Sequence, residues 1–257
     1  MRTTNPALNP AAFAQDRAYS GGEAMTVNGT VNKAFVLLFV LLIAAGWVWN
    51  KVMQPAPVLA EDAGAQMVQS IMPYMMGGLF GGFILAMVTI FKKQWAAVTA
   101  PLYALCEGLF LGALSGIMEL QYPGIVIQAV ALTFGTLFCL LSVYKSGLIK
   151  VTDNFRMGVF AATGAIALIY FMSMLLGFFG INVPYIHESG VLGIGFSIFV
   201  VVIASLNLVL DFDFIERGAA QGAAKYMEWF AAFGLMVTLV WLYIEILRLL
   251  AKLRNRR

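Results

Sequence analysis

Residues 205–250, SLNLVLDFDFIERGAAQGAAKYMEWFAAFGLMVTLVWLYIEILRLL, place acidic side chains at the ends of two apolar runs. Asp211 and Asp213 close the first run, Glu228 opens the second, and Glu245 stands near its far end with Arg248 one turn on. A run of about 20 apolar residues is what a helix needs to cross a bilayer. A carboxylate within reach of the hydrocarbon is disfavoured by roughly 3 kcal/mol or more, so it faces a partner, a cavity or an ion path. Two membrane-crossing helices with costly acids are the reading, and this is the expected working part of the chain.

The rest of the sequence repeats the apolar half of that pattern. Of 257 residues 61% are hydrophobic and only 11% charged, with a mean hydropathy of +0.86, too little polar surface to cover a water-soluble globule. Apolar runs at 34–52, 71–91, 95–118, 124–144, 157–180, 191–211 and 227–250 predict seven spans. The fold class is an all-α integral membrane bundle. Residues 1–33, polar and turn-rich, are expected to form a soluble, mobile tail without a cleaved signal, 34–250 the membrane domain, and 251–257 a basic tail. Five of the sixteen Lys and Arg lie from Arg248 onward and read as snorkelling, headgroup-facing charges rather than a nucleic-acid site. Cys106 and Cys139 fall inside apolar runs, where a thiol serves as a small hydrophobe.

Orientation follows from the loops, because Lys and Arg resist translocation. With the N-terminus in the cytoplasm, ten basic residues lie inside, among them Lys92, Lys93, Lys145, Lys150, Arg156, Arg217 and Lys225, against Lys51 alone in the opposite loops. The basic C-terminus then falls outside, against the bias. In a bacterium the membrane would be the inner one.

Small residues mark packing faces. Gly77 with Gly81 and Gly78 with Gly82 form interleaved GxxxG pairs in the second span, and Gly108, Gly112 and Gly116 repeat every four residues in the third. Glu107, beside that glycine face and about mid-depth, reads either as an ionisable site or as a protonated acid that only fixes packing. Asn207 and Asp211, four apart, share a helix face, whereas Asp213 is turned about 200° from Asp211. Asp211 is therefore the inward proton or cation group, Asp213 an interfacial, solvated charge, and Glu228 likewise solvated. Glu245 and Arg248 could be no more than a local pair. The one histidine, His187, lies with Glu188 in a loop, and there is no HExxH, GxSxG or cofactor fingerprint, so no enzyme, resident metal or cofactor is expected.

At these residues a resemblance emerges. Ser205–Asp211 (SLNLVLD), followed four positions later by Ile215, resembles the SLY-x-LYD-x-x-x-I pattern at the end of the sixth span of the Bax inhibitor-1/YccA-like family, the transmembrane Bax-inhibitor-motif proteins. The last span, ending LYIEILRLL, is similar to that family's last helix. CEGLFLGALSG, at 106–116 and preceded by Lys92 and Lys93, is similar to its third-span stretch. The resemblance implies a seven-helix bundle with the last helix central and, for bacterial members, a pH-sensitive calcium leak in which a sixth-span and a seventh-span aspartate share a proton. Asp211 matches the first. Aligning Arg248 with the family's arginine puts Thr238 at the second, without a gap; matching LYIEI locally puts Glu245 there. The expected ion or proton pathway is thus Asp211, Glu107, Asn207, Thr238 and Glu245, with Lys92, Lys93, Arg248 and Asp213 as candidate charge partners. Calcium or protons and the lipid bilayer are the implied partners. The rival reading is a non-transporting regulator that binds a membrane protease or another membrane protein.

Overall fold

The computed structural model describes residues 23–54, 63–180 and 190–256. Seven helices long and apolar enough to cross a membrane follow one another: α1 (Val27–Met53), α2 (Ala63–Phe91), α3 (Ala96–Gln121), α4 (Ile125–Lys145), α5 (Asp153–Phe178), α6 (Val191–Ala220) and α7 (Met227–Asn255). A single 3-10 turn, Lys93–Trp95, separates α2 from α3. The seven spans stand as expected, but several of their ends move outward. α1 starts inside the segment expected as tail, because the Thr26 hydroxyl caps it, accepting from Gly29 N at 3.0 Å. α7 continues to Asn255, past the expected boundary at 251, since nothing in AKLRN breaks a helix. The Thr152 hydroxyl caps α5 at Phe155 N. For α4 the cap comes from a distance: Glu119 accepts from Gly124 N and Val126 N, at 2.6 and 3.1 Å, satisfying donors that the first turn leaves unpaired.

The chain divides into two compact units, each taking part of α6 and α7. The first holds the described residues of 23–117 and 214–236. Here the glycines of α3 earn their spacing in contacts with α1: a Cβ on Gly108 would meet Leu41 and Ala44, one on Gly112 Ala45, and one on Gly116 Val52. Gly78, Gly81 and Gly82 of α2 all lie against α3, Gly78 most closely, at Cys106 and Phe110, while Gly77 has nothing within 4 Å. Without an apolar drive in lipid, such close backbone approach is what associates helices. Val48, Val52, Ile71 and Ala113 fill the adjoining core. At the other end of this unit Met25 N donates to Ala223 O at 2.7 Å, and Met25 packs with Ile215, Ala223, Met227 and Ala231.

The second unit holds the described residues of 118–213 and 237–256. Its core is Ile166 of α5 with Val200 and Ile203 of α6, backed by Tyr170, Phe196 and Trp241. α7 has the most buried apolar window of the seven helices, 56% against 11% for α5. A helix buried to that degree has room for polar side chains only where partners are built for them.

Candidate functional site

Three polar residues of α7 stand seven apart, Thr238, Glu245 and Lys252, and two turns of helix bring each nearly onto the face of the last. All three are buried, at 9%, 1% and 5% exposure. They form a lane along the second unit that rises about 21 Å over fourteen residues. Each rung has its own partner from α5 or α6.

At one end the Thr238 hydroxyl hydrogen-bonds the Asp211 carboxyl. The second oxygen of that carboxyl, Oδ2, is buried without a hydrogen-bond partner, alone in this among the described residues. One turn back along α6, the Asn207 amide donates to Thr163 Oγ1 of α5 at 2.8 Å and to Ile203 O at 2.9 Å. Asn207 is thereby held on the face it shares with Asp211.

The middle rung is a closed cluster. Tyr170 OH of α5 donates to the Glu245 carboxylate, whose oxygens lie 3.0 and 3.1 Å away. Arg248 Nη1 donates to Glu245 at 3.0 Å and to Tyr170 OH at 2.8 Å, with its guanidinium 5.1 Å from the tyrosine ring centre. The local Glu245–Arg248 pair is present, extended by a tyrosine that the sequence did not single out. At the far end Lys252 Nζ donates to Ser197 Oγ at 2.9 Å and to Gly193 O at 3.1 Å, both on α6. Lys252, expected as a headgroup-facing tail charge, is instead a buried rung of the lane.

Two further expectations are corrected. Asp213 is not a solvated interfacial charge: it is 8% exposed, and Arg156 of α5 donates to it at 2.7 Å. The turn of about 200° that carries it away from Asp211 points it at another helix rather than at water. Glu228 is not solvated either. It lies fully buried in the first unit, paired with Lys33 and accepting from Thr26 N and Oγ1 at 2.8 and 2.9 Å. Lys225 stands 3.5 Å away. This cluster ties the start of α7 to the start of α1.

Glu107 also belongs to the first unit, half-buried, hydrogen-bonded to Tyr103 one turn back and close against Gly82 of α2. Lys93 lies over the Phe230 ring at 5.2 Å, and Lys92 precedes the 3-10 turn. Of the residues expected on one pathway, the fold therefore joins Asp211 to Thr238 and Glu245 to Arg248 in the second unit, and places Glu107, Lys92 and Lys93 in the first. Among the described residues no three His, Cys, Asp or Glu side chains gather as a metal site; His187 lies outside them. Tyr170, Thr163 and Arg156 complete the site from α5. Their sequence offered no signal, since a polar residue on a mostly apolar helix does not say which neighbour it meets. Lys252 did carry one, its seven-residue spacing from Glu245.

A family model described as Bax inhibitor 1 like matches residues 5–255, nearly the whole chain. No curated protein and no solved structure matches it.

Proposed function

Because the chain belongs to the Bax inhibitor 1 like family, we propose that this multi-pass membrane protein is a proton-controlled cation leak or exchanger, with calcium as the cation and Asp211 as the group that takes up the proton. The observation that carries this reading is the buried, unpartnered Oδ2 of Asp211 beside the Thr238 hydroxyl. A buried polar atom without a partner is uncommon and calls for an explanation. A transient proton or cation supplies one.

The chemistry fits passage better than storage. Calcium in a holding site takes roughly 6–8 oxygen ligands, several from carboxylates. Asp211 brings one carboxyl, assisted by Thr238 and, one turn away, the Asn207 side-chain oxygen. Conduction requires a site strong enough to admit an ion and weak enough to release it. Protonation removes the single charge that would attract a cation, so flux should fall on acidification and return as Asp211 ionises. Thr238, rather than Glu245, is the α7 group bonded to Asp211, which supports the gapless alignment. A proton shared between two aspartates is then replaced by one titrating on a single acid.

The test is calcium efflux from liposomes holding only the purified chain. Efflux that falls with pH supports the proposal; tight liposomes at every pH would favour the regulator that binds another membrane protein.

A further inference from the structure

In the second unit a cleft of about 290 Å3 opens where α3 and α7 end, lined by Met118, Gln121, Tyr122, Arg248, Lys252 and Asn255. None of its lining residues is acidic. The nearest carboxylate in the lane, Glu245, lies behind Arg248, 2% exposed against 37% for the arginine side chain. Arg248 and Lys252 are the charged side chains that line the cleft.

The donors are arranged for an acceptor with several oxygens. Arg248 reaches Glu245 and Tyr170 through Nη1, leaving the Nη2 edge of its fork for a second acceptor. Such an edge suits the paired oxygens of a phosphate. Tyr122 OH donates to Asn255 Oδ1 at 2.6 Å, which commits that oxygen and leaves the amide N–H groups as donors. Gln121 adds another amide.

We propose that this cleft binds a phosphate-bearing anion, in the membrane the phosphodiester of an anionic phospholipid. Gln121 and Asn255 are the last residues of their helices, so the cleft lies where two membrane-crossing helices end, at the level of lipid headgroups. Met118 and Ala251 give it apolar walls toward the spans, where the start of an acyl chain would lie. Its volume is just below the roughly 300–1,000 Å3 of small-molecule sites, room for a headgroup phosphate and part of its glycerol. Basic pockets between membrane helices bind anionic headgroups by this chemistry.

Binding is read by thermal unfolding of the full chain in detergent, with phosphatidylglycerol or phosphatidylcholine added at equal mole fraction, or with inorganic phosphate alone. The readout is independent of any cation flux. Phosphatidylglycerol should raise the unfolding temperature and phosphatidylcholine should not. Arg248→Gln should lose that rise. Asn255→Asp is the second variant: it keeps an acceptor for Tyr122 on an exposed residue, so the fold is retained, and its carboxylate should abolish the rise. An equal rise with inorganic phosphate alone would keep the anion site but assign it to the free ion. No anion-specific rise in the wild type, or a full rise in both variants, overturns the proposal.

Discussion

Asp211 and Asp213 sit two residues apart on one helix and have opposite fates, because a turn of about 200° sends one to a threonine and the other to an arginine. The rotation could be read from the sequence; the arginine could not, since Arg156 is 57 positions away and counted there only as a loop charge. Glu228 was misplaced for the same reason, its partner Lys33 being 195 positions distant. A buried pair is weak evidence of net stability, yet removing one member deprives the other of a charged partner. Arg156→Gln removes one charged partner of Asp213 and should destabilise the protein by about 1–3 kcal/mol, read as a lower unfolding temperature in detergent. Arg156→Met combined with Asp213→Leu should recover much of the loss. Wild-type stability in the single variant would mean that the Arg156–Asp213 pair contributes nothing to the fold.

At the scale of helices, length and apolar content located every span, because the bilayer imposes both. The ends were harder. Hydrophobicity stops at the headgroups, whereas a helix stops only where its backbone loses a partner, so Thr26 and Asn255 set limits that composition did not. The glycine repeats were legible as faces, but which helix each face meets was not. Gly108, Gly112 and Gly116 turn out to meet α1. Gly112→Val would drive a side chain into the Ala45 backbone and should cost about 1–3 kcal/mol of stability. Gly77→Ala, with nothing within 4 Å of the added carbon, should be neutral or stabilise the helix by up to about 1 kcal/mol. Thermal unfolding of the two variants side by side checks this, and equal losses would remove the α1–α3 contact from the account.

For the whole molecule, the charge bias of the loops argued for a cytoplasmic N-terminus while the five late basic residues argued against it. Arg248, Lys252 and Arg254 are engaged within the second unit, by Glu245, Ser197 and Pro123 O among others. With Cys106 and Cys139 replaced, a cysteine at Lys150 should be labelled only after the membrane is opened, and one at Arg256 from outside intact cells. Labelling of both from the same side would mean that α7 does not cross. Family and architecture were accessible from motif order, since SLNLVLD and the spacing of the last helix survive as sequence. The lane Thr238–Glu245–Lys252 was accessible only in part, because burial of its third member depends on Ser197 and Gly193, brought near by packing alone.

The central claim is that Asp211 takes up the proton that controls cation flux, and it is tested most directly by calcium efflux from liposomes across a range of pH, wild type beside Asp211→Asn. The asparagine holds the site neutral while keeping its shape. Efflux through the wild type should fall on acidification, and efflux through Asp211→Asn should be low and level with pH. The same pH slope in both proteins would contradict the claim.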